Sequence, residues 1–203
     1  MSAQPFLNAI AARRSLYAIT DQSTITDARI VEIVKHSVAH VPTSFNNQTN
    51  RAVILFKKDS DRLWDIVLAT LKPIVPADQF PATEGKIKMF KSGYGTVLFF
   101  EDTDVVKDYE TKFALYKERF APWSQQSAGM AQFATWVALE AEGLGATLQH
   151  YNPLIDEQVR KEWNLPTNWS LISQMPFGTP SAPAGEKAFK PIDEVVKAFG
   201  SAL

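Results

Sequence analysis

The chain has 203 residues, 45% of them hydrophobic and 21% charged, which suits one globular domain with a substantial core and excludes a disordered chain. It contains no cysteine, so disulfides, thiolate metal sites, cysteine-ligated iron–sulfur clusters and thiol nucleophiles are ruled out, and redox chemistry would need a bound cofactor. The formal charge is −1, which argues against a nucleic-acid partner. No apolar run approaches the ~20 residues that span a bilayer, and residues 1–15 do not read as a signal peptide; we expect a cytoplasmic protein without a membrane partner.

Phe6, Leu7, Ile10 and Ala11 fall at helical spacing and predict a short helix over Gln4–Ala12, ending in Arg13-Arg14-Ser15. Thr26 and Asp27 suit a helix start, and Ile30, Ile33, Val34 and Val38 carry that helix to about His40. Val41-Pro42 stops it, and 42–50 is a polar loop. Arg51–Lys57 reads as a buried strand. Asp59 or Ser60 would cap the next helix, with Leu63, Trp64, Ile66, Val67 and Leu71 on it, and another helix is expected over Asp78–Lys91. Gly95–Glu101 is a second buried strand. Helices are predicted over Asp104–Arg119 and Trp123–Gly143, the latter rich in small residues and ended by Gly143-Leu144-Gly145. A strand over Ala146–His150, a helix from Asn152-Pro153 to about Trp163 and a strand over Trp169–Pro176 follow. A loop over Gly178–Lys190 and a short helix over Ile192–Phe199 close the chain. Helices flanking a small mixed sheet, without regular βα alternation, make an α+β fold and count against a doubly wound nucleotide fold.

No dinucleotide, P-loop, zinc-protease or nucleophile-elbow motif is present. His36 and His40 have the spacing of a metal pair but lack a third ligand, and imidazolium also suits a helix C-terminus. His150 ends a predicted strand, where ligands often sit. The carboxylate pairs Glu101/Asp102 and Asp156/Glu157 fall on predicted turns or helix starts and do not make an acid–base dyad. Arg13, Arg14 and Ser15 form an anion fork, two guanidiniums and a hydroxyl, although arginine is electrostatically welcome at any helix C-terminus. Loop 42–48 packs amides able to meet both donors and acceptors on a flat heterocycle, or makes an ordinary polar turn. Lys187 and Lys190 could close on a phosphate or lie free on the surface.

Taken together, the Arg-Arg-Ser helix end, the Pro-x-Ser-x-Asn-x-Gln loop some thirty residues later and the basic C-terminal loop resemble the nitroreductase family of flavoproteins. The stretches Ser44–Gln48, Lys91–Asp102, Trp123–Phe133 and Leu148–Asn152 are similar to its short fungal-type subfamily, which also has bacterial members. The resemblance runs over residues 3–199 and implies an FMN-binding homodimer. It implies NADH- or NADPH-dependent two-electron reduction of nitroaromatics or quinones in a ping-pong scheme, the flavin N5 carrying the chemistry. It places Arg13, Arg14 and Ser15 at the FMN phosphate and ribityl chain, Ser44, Asn46 and Gln48 along the flavin, and Gln149, His150 and Tyr151 near the reactive edge of the ring. It brings Lys187 and Lys190 to the phosphate, with segment 178–203 closing on the cofactor or on a partner subunit. Some of Tyr116, Phe120 and Trp123 are expected to cover the flavin face and stack on a small planar acceptor, the alternative for any one of them being core or dimer packing. The sequence departs from the larger bacterial enzymes at Tyr17, Gln48-Thr49-Asn50 and His150-Tyr151. An FMN-binding sensor or storage protein with little turnover is the alternative, and a cofactor-free helical interaction protein a third.

Overall fold

The computed structural model describes residues 2–200. Eight α-helices, α1 (Gln4–Ala12), α2 (Asp27–His40), α3 (Lys58–Leu71), α4 (Phe80–Lys91), α5 (Thr103–Lys112), α6 (Lys117–Ala141), α7 (Asp156–Glu162) and α8 (Ile192–Val195), surround a single sheet among the described residues. Its strands are β1 (Asn50–Phe56), β2 (Gly95–Asp102), β3 (Gly145–Ala146) and β4 (Trp169–Gly178), in the order β1-β2-β4-β3.

The fold is α+β, with three layers. Leu98 and Phe100 of β2 point to one side, into a core with Leu63, Trp64 and Val67 of α3, Ile87 and Phe90 of α4, and Val159 of α7. Val97 and Phe99, alternating with them, point to the other, against Ile30, Ile33 and Val34 of α2 and Leu139 of α6. Burial on both faces explains why the centres of β1 and β2 read as continuous apolar runs rather than alternating ones.

Four expectations need correction. The paired strands are all antiparallel, so the sheet is not mixed; the one parallel contact is a single bridge from Ser15 to Ala146. α3 begins at Lys58 after a left-handed Lys57 (φ 50°), with no side-chain cap. The Ser60 hydroxyl is instead buried against the Thr96 hydroxyl at 2.7 Å. The break between α5 and α6 falls at Phe113, a short 3-10 turn spans Ala114–Tyr116, and Pro122 lies inside α6. As the sixth residue of α6 it lies past the first turn, so the helix lacks the bond that an N–H there would donate to the Glu118 carbonyl.

The strand expected over Ala146–His150 is the fourth. β3 is only two residues long, although Gln149 still pairs with Gln174 in the same register. Pro176 causes the gap. The Thr147 N–H reaches the Pro176 carbonyl at 3.3 Å, but proline has no N–H to return. Two residues on, Gln149 and Gln174 exchange both bonds, at 2.7 and 2.9 Å.

Candidate functional site

Apart from the strand-end residues Gln149, His150 and Tyr151, the predicted site residues fall into two groups, held at opposite ends of α6. The first is built around Arg13-Arg14-Ser15. Arg13 is the C-cap of α1, its N–H closing on the Ala9 carbonyl. Its guanidinium carbon lies 4.3 Å from the centroid of the Trp136 ring on α6, a stacking that leaves the in-plane N–H donors free. The Arg14 backbone N–H donates to Glu140 Oε2 at 2.8 Å, while Trp136 Nε1 donates to Glu140 Oε1 at 2.8 Å. Burial pushes the half-buried Glu140 carboxyl above its ordinary value, against the opposing pull of those N–H groups and of the two guanidiniums. Ser15 is exposed, and the next N–H, from Leu16, donates to the Ala146 carbonyl at 3.0 Å. The Arg14 guanidinium donates to the Gly185 carbonyl, which brings the C-terminal segment onto this group. Lys187 and Lys190 follow at exposed positions.

The second group is the Ser44–Gln48 loop. Ser44–Asn46 is a 3-10 turn in which Phe45 and Asn46 are left-handed, both at φ 53°, as is Gln48 at φ 51°. This conformation strains residues with a Cβ by about 1–3 kcal/mol each and needs support from outside the loop. Thr49 supplies part of it, its hydroxyl 2.9 Å from the Ser124 hydroxyl of α6. Phe45 supplies more, with its ring centroid 4.7 Å from that of Phe113, 5.6 Å from Phe120, 5.9 Å from Tyr116 and 6.3 Å from Trp123. Asn46 and Gln48 are exposed, and Gln48 lines a groove of about 420 Å³ between α2 and the outer edge of β1. Asn47 between them is buried, with neither amide atom hydrogen-bonded within the described residues.

Phe120 departs from its expected role. It is fully buried at the centre of this aromatic cluster, so it supports the neighbouring rings and presents no face to a ligand in the protomer. Tyr116 is exposed and Trp123 half-buried. Among the strand-end residues, His150 is exposed. Gln149 folds back on the Thr147 hydroxyl at 3.1 Å. Tyr151 turns its ring toward Trp64 in the core, centroid to centroid 6.0 Å, and burial pushes its hydroxyl upward. Its backbone N–H is taken by Gln174 Oε1 at 2.7 Å.

Sequence reasoning did not find Trp136, Glu140 or Phe113, and it held Phe45 and Asn47 only as members of loop 42–48. Trp136 and Glu140 share an i,i+4 spacing, but nothing in the sequence ties either to residues over a hundred positions earlier. Along α6, between Ser124 and Glu140, Gln126, Gly129, Met130 and Phe133 form an exposed stripe at helical spacing. No group of three or more His, Cys, Asp or Glu residues able to hold a metal occurs among the described residues. None of their helices is long and apolar enough to cross a membrane.

This arrangement has close counterparts. HBN1 of Saccharomyces cerevisiae is 36% identical over 186 residues, 91% of this chain and 92% of that protein. The nitroreductase FRM2 of the same yeast is 32% identical over 198 residues, 96% of each. The structure of the nitroreductase CinD from Lactococcus lactis in complex with chloramphenicol superposes with a TM-score of 0.87 at 42% identity, covering 95% of this chain and 98% of CinD. CinD has also been solved with 4-nitrophenol (TM-score 0.86, 43% identity, 95% and 98% covered). At 22% identity, a nitroreductase-like structure from Desulfovibrio desulfuricans in complex with FMN shares the fold, with a TM-score of 0.68 over 95% of each chain. The sequence profile of the nitroreductase family matches residues 10–179, and the chain belongs to that family of oxidoreductases.

Proposed function

We propose that the protein is an FMN-dependent NAD(P)H oxidoreductase that reduces nitroaromatics or quinones as a cytoplasmic homodimer. The observation that carries this reading is the division of the candidate site between the two ends of α6. Ser124, which holds the amide loop, and Glu140, which holds the arginine fork, are roughly 24 Å apart at ~1.5 Å per residue along a 25-residue helix. A second copy packed antiparallel along the exposed Gln126–Phe133 stripe would set the loop of one protomer beside the fork of the other.

The donor set fits FMN. Unpaired guanidinium N–H groups, a free hydroxyl and nearby lysines suit a phosphate. Exposed amides on a rigid turn suit the donor–acceptor edge of a flavin. Bound FMN would supply two-electron hydride chemistry, which this cysteine-free chain does not carry itself. Arg13, Arg14 and Ser15, with Lys187 and Lys190, would hold the phosphate and ribityl chain. Ser44, Asn46 and Gln48 would lie along the ring, and His150 with the Gln149–Tyr151 backbone at its edge. Tyr116 and Trp123, backed by Phe120 and Phe45, would present rings against a planar acceptor. The chloramphenicol and 4-nitrophenol complexes of CinD support an aromatic acceptor. In this reading residues 1–203 act as one domain, and the segment from 178 onward closes over the cofactor or onto the second copy.

The purified protein should be yellow or become so with added FMN, and NADH or NADPH should bleach it. Colourless protein that cannot be loaded with FMN sinks the proposal. Protein that binds FMN but is not reduced by either nucleotide is instead a flavin-storage or sensor protein. Replacing Arg13 and Ser15 together by Ala should weaken FMN binding at least about tenfold, since hydrogen bonds to a charged group contribute roughly 1.5–3 kcal/mol each. An unchanged affinity would remove these residues from the phosphate site.

A further inference from the structure

We propose that Glu140, oriented by Trp136, is the positioning residue that sets the arginine fork for the cofactor phosphate; this rests on the FMN reading above. α1 cannot set the fork by itself. None of its residues is buried, so the helix carrying Arg13 has no core anchor of its own. The chain beyond Arg13 is fixed by backbone bonds instead: Arg14 N–H to Glu140 Oε2 at 2.8 Å and Leu16 N–H to the Ala146 carbonyl at 3.0 Å.

What Glu140 leaves alone decides its role. A half-buried carboxylate beside two arginines would ordinarily pair with a guanidinium. Glu140 pairs with neither. Both of its oxygens are occupied by N–H groups without full charge, the Arg14 backbone and the Trp136 indole. The indole ring that orients the carboxylate also lies under the Arg13 guanidinium. The Arg14 guanidinium is directed to the Gly185 carbonyl, two residues before Lys187. The result is a fixed backbone in which neither guanidinium is tied to Glu140 in a direct ion pair, so N–H donors of the fork stay available to a phosphate dianion, which a purely stabilising ion pair would take up.

The test compares FMN with riboflavin, which has the same ring and lacks the phosphate, by fluorescence titration of the apoprotein. Glu140→Gln cannot accept from both N–H groups. It should weaken FMN binding about tenfold and leave riboflavin binding unchanged, and hydrogen exchange at the amides of residues 14–16 should speed up. Trp136→Phe keeps an aromatic ring under Arg13 but removes the indole donor. It should give the same pattern at about fivefold, and it decides the matter if the Glu140 variant fails to fold. Equal losses for FMN and riboflavin would mean a general structural role and overturn the assignment. Unchanged or tighter FMN binding would mean the carboxylate only repels the phosphate, and overturns it too. Failure of the unaltered protein to bind FMN would instead remove the functional reading on which the assignment stands.

Discussion

Glu140 makes a pH prediction independent of any cofactor. Its carboxyl is held above its ordinary value of 4.5, chiefly because burial disfavours the charge. The folded chain therefore keeps this proton at a pH where the unfolded chain has lost it. The associated stability is fully present below about 4.5 and is lost as the pH rises through the folded value. Glu140→Gln stays neutral throughout. The unfolding free energy of the apoprotein minus that of the variant should fall as the pH is raised from about 4.5 upward, then level off. Urea unfolding of both proteins across that range checks it, and a difference that grows with pH would contradict it. The groups facing the carboxyl are the Arg13 and Arg14 guanidiniums and the Trp136 indole.

Among the elements, the junction of β2 and α5 depends most on one side chain. Asp102 accepts from Arg51 Nη2 at 2.8 Å and Asn168 Nδ2 at 2.7 Å, and caps α5 through the N–H groups of Asp104 and Val105 at 3.1 and 3.3 Å. Asp102→Ala should lower the unfolding free energy by about 3 kcal/mol, because a helix cap is lost and a partly buried arginine loses its carboxylate partner while keeping its bonds to the Gln48 and Asn50 carbonyls. A loss below about 1 kcal/mol in urea unfolding would show the cluster to be an ordinary surface contact. The sequence announced a helix start there but not its partners, since Arg51 and Asn168 lie on other elements. The same contrast runs through the fold. Local signals such as the Thr26 cap, whose hydroxyl accepts the Arg29 N–H at 3.3 Å, and the apolar centres of β1 and β2 were legible because their causes are local. β3 was misjudged because its interruption comes from Pro176 on another strand. At the candidate site, the arginine fork and amide loop stood out by residue type and by family resemblance. Their supports on α6 did not: Trp136 looks like any other core aromatic until its partners are known, and Phe120 stood out as a stacking ring although it is the buried backing of its neighbours.

At the scale of the whole molecule, Gly129 is the informative position. It lies inside α6, where glycine costs about 1 kcal/mol relative to alanine, and a Cβ there would meet nothing within 4 Å in the protomer. Its own chain does not need it. A second α6 packed closely against this stripe would. On the proposed FMN-binding homodimer, Gly129→Arg should therefore leave the protomer folded by circular dichroism but give a monomer in analytical ultracentrifugation, with loss of FMN. A variant that stays dimeric and yellow would move the interface elsewhere.

The two ends of α6 also carry a thermodynamic consequence. A cofactor held partly by each copy couples loading to assembly, so each process must favour the other by the same free energy. The apparent dissociation constant for FMN should then depend on protein concentration, weakening on dilution as the pairs come apart. Excess FMN should in turn hold the pair together at concentrations where the apoprotein is monomeric. A binding constant that is the same at nanomolar and micromolar protein would mean that one copy holds the whole ligand.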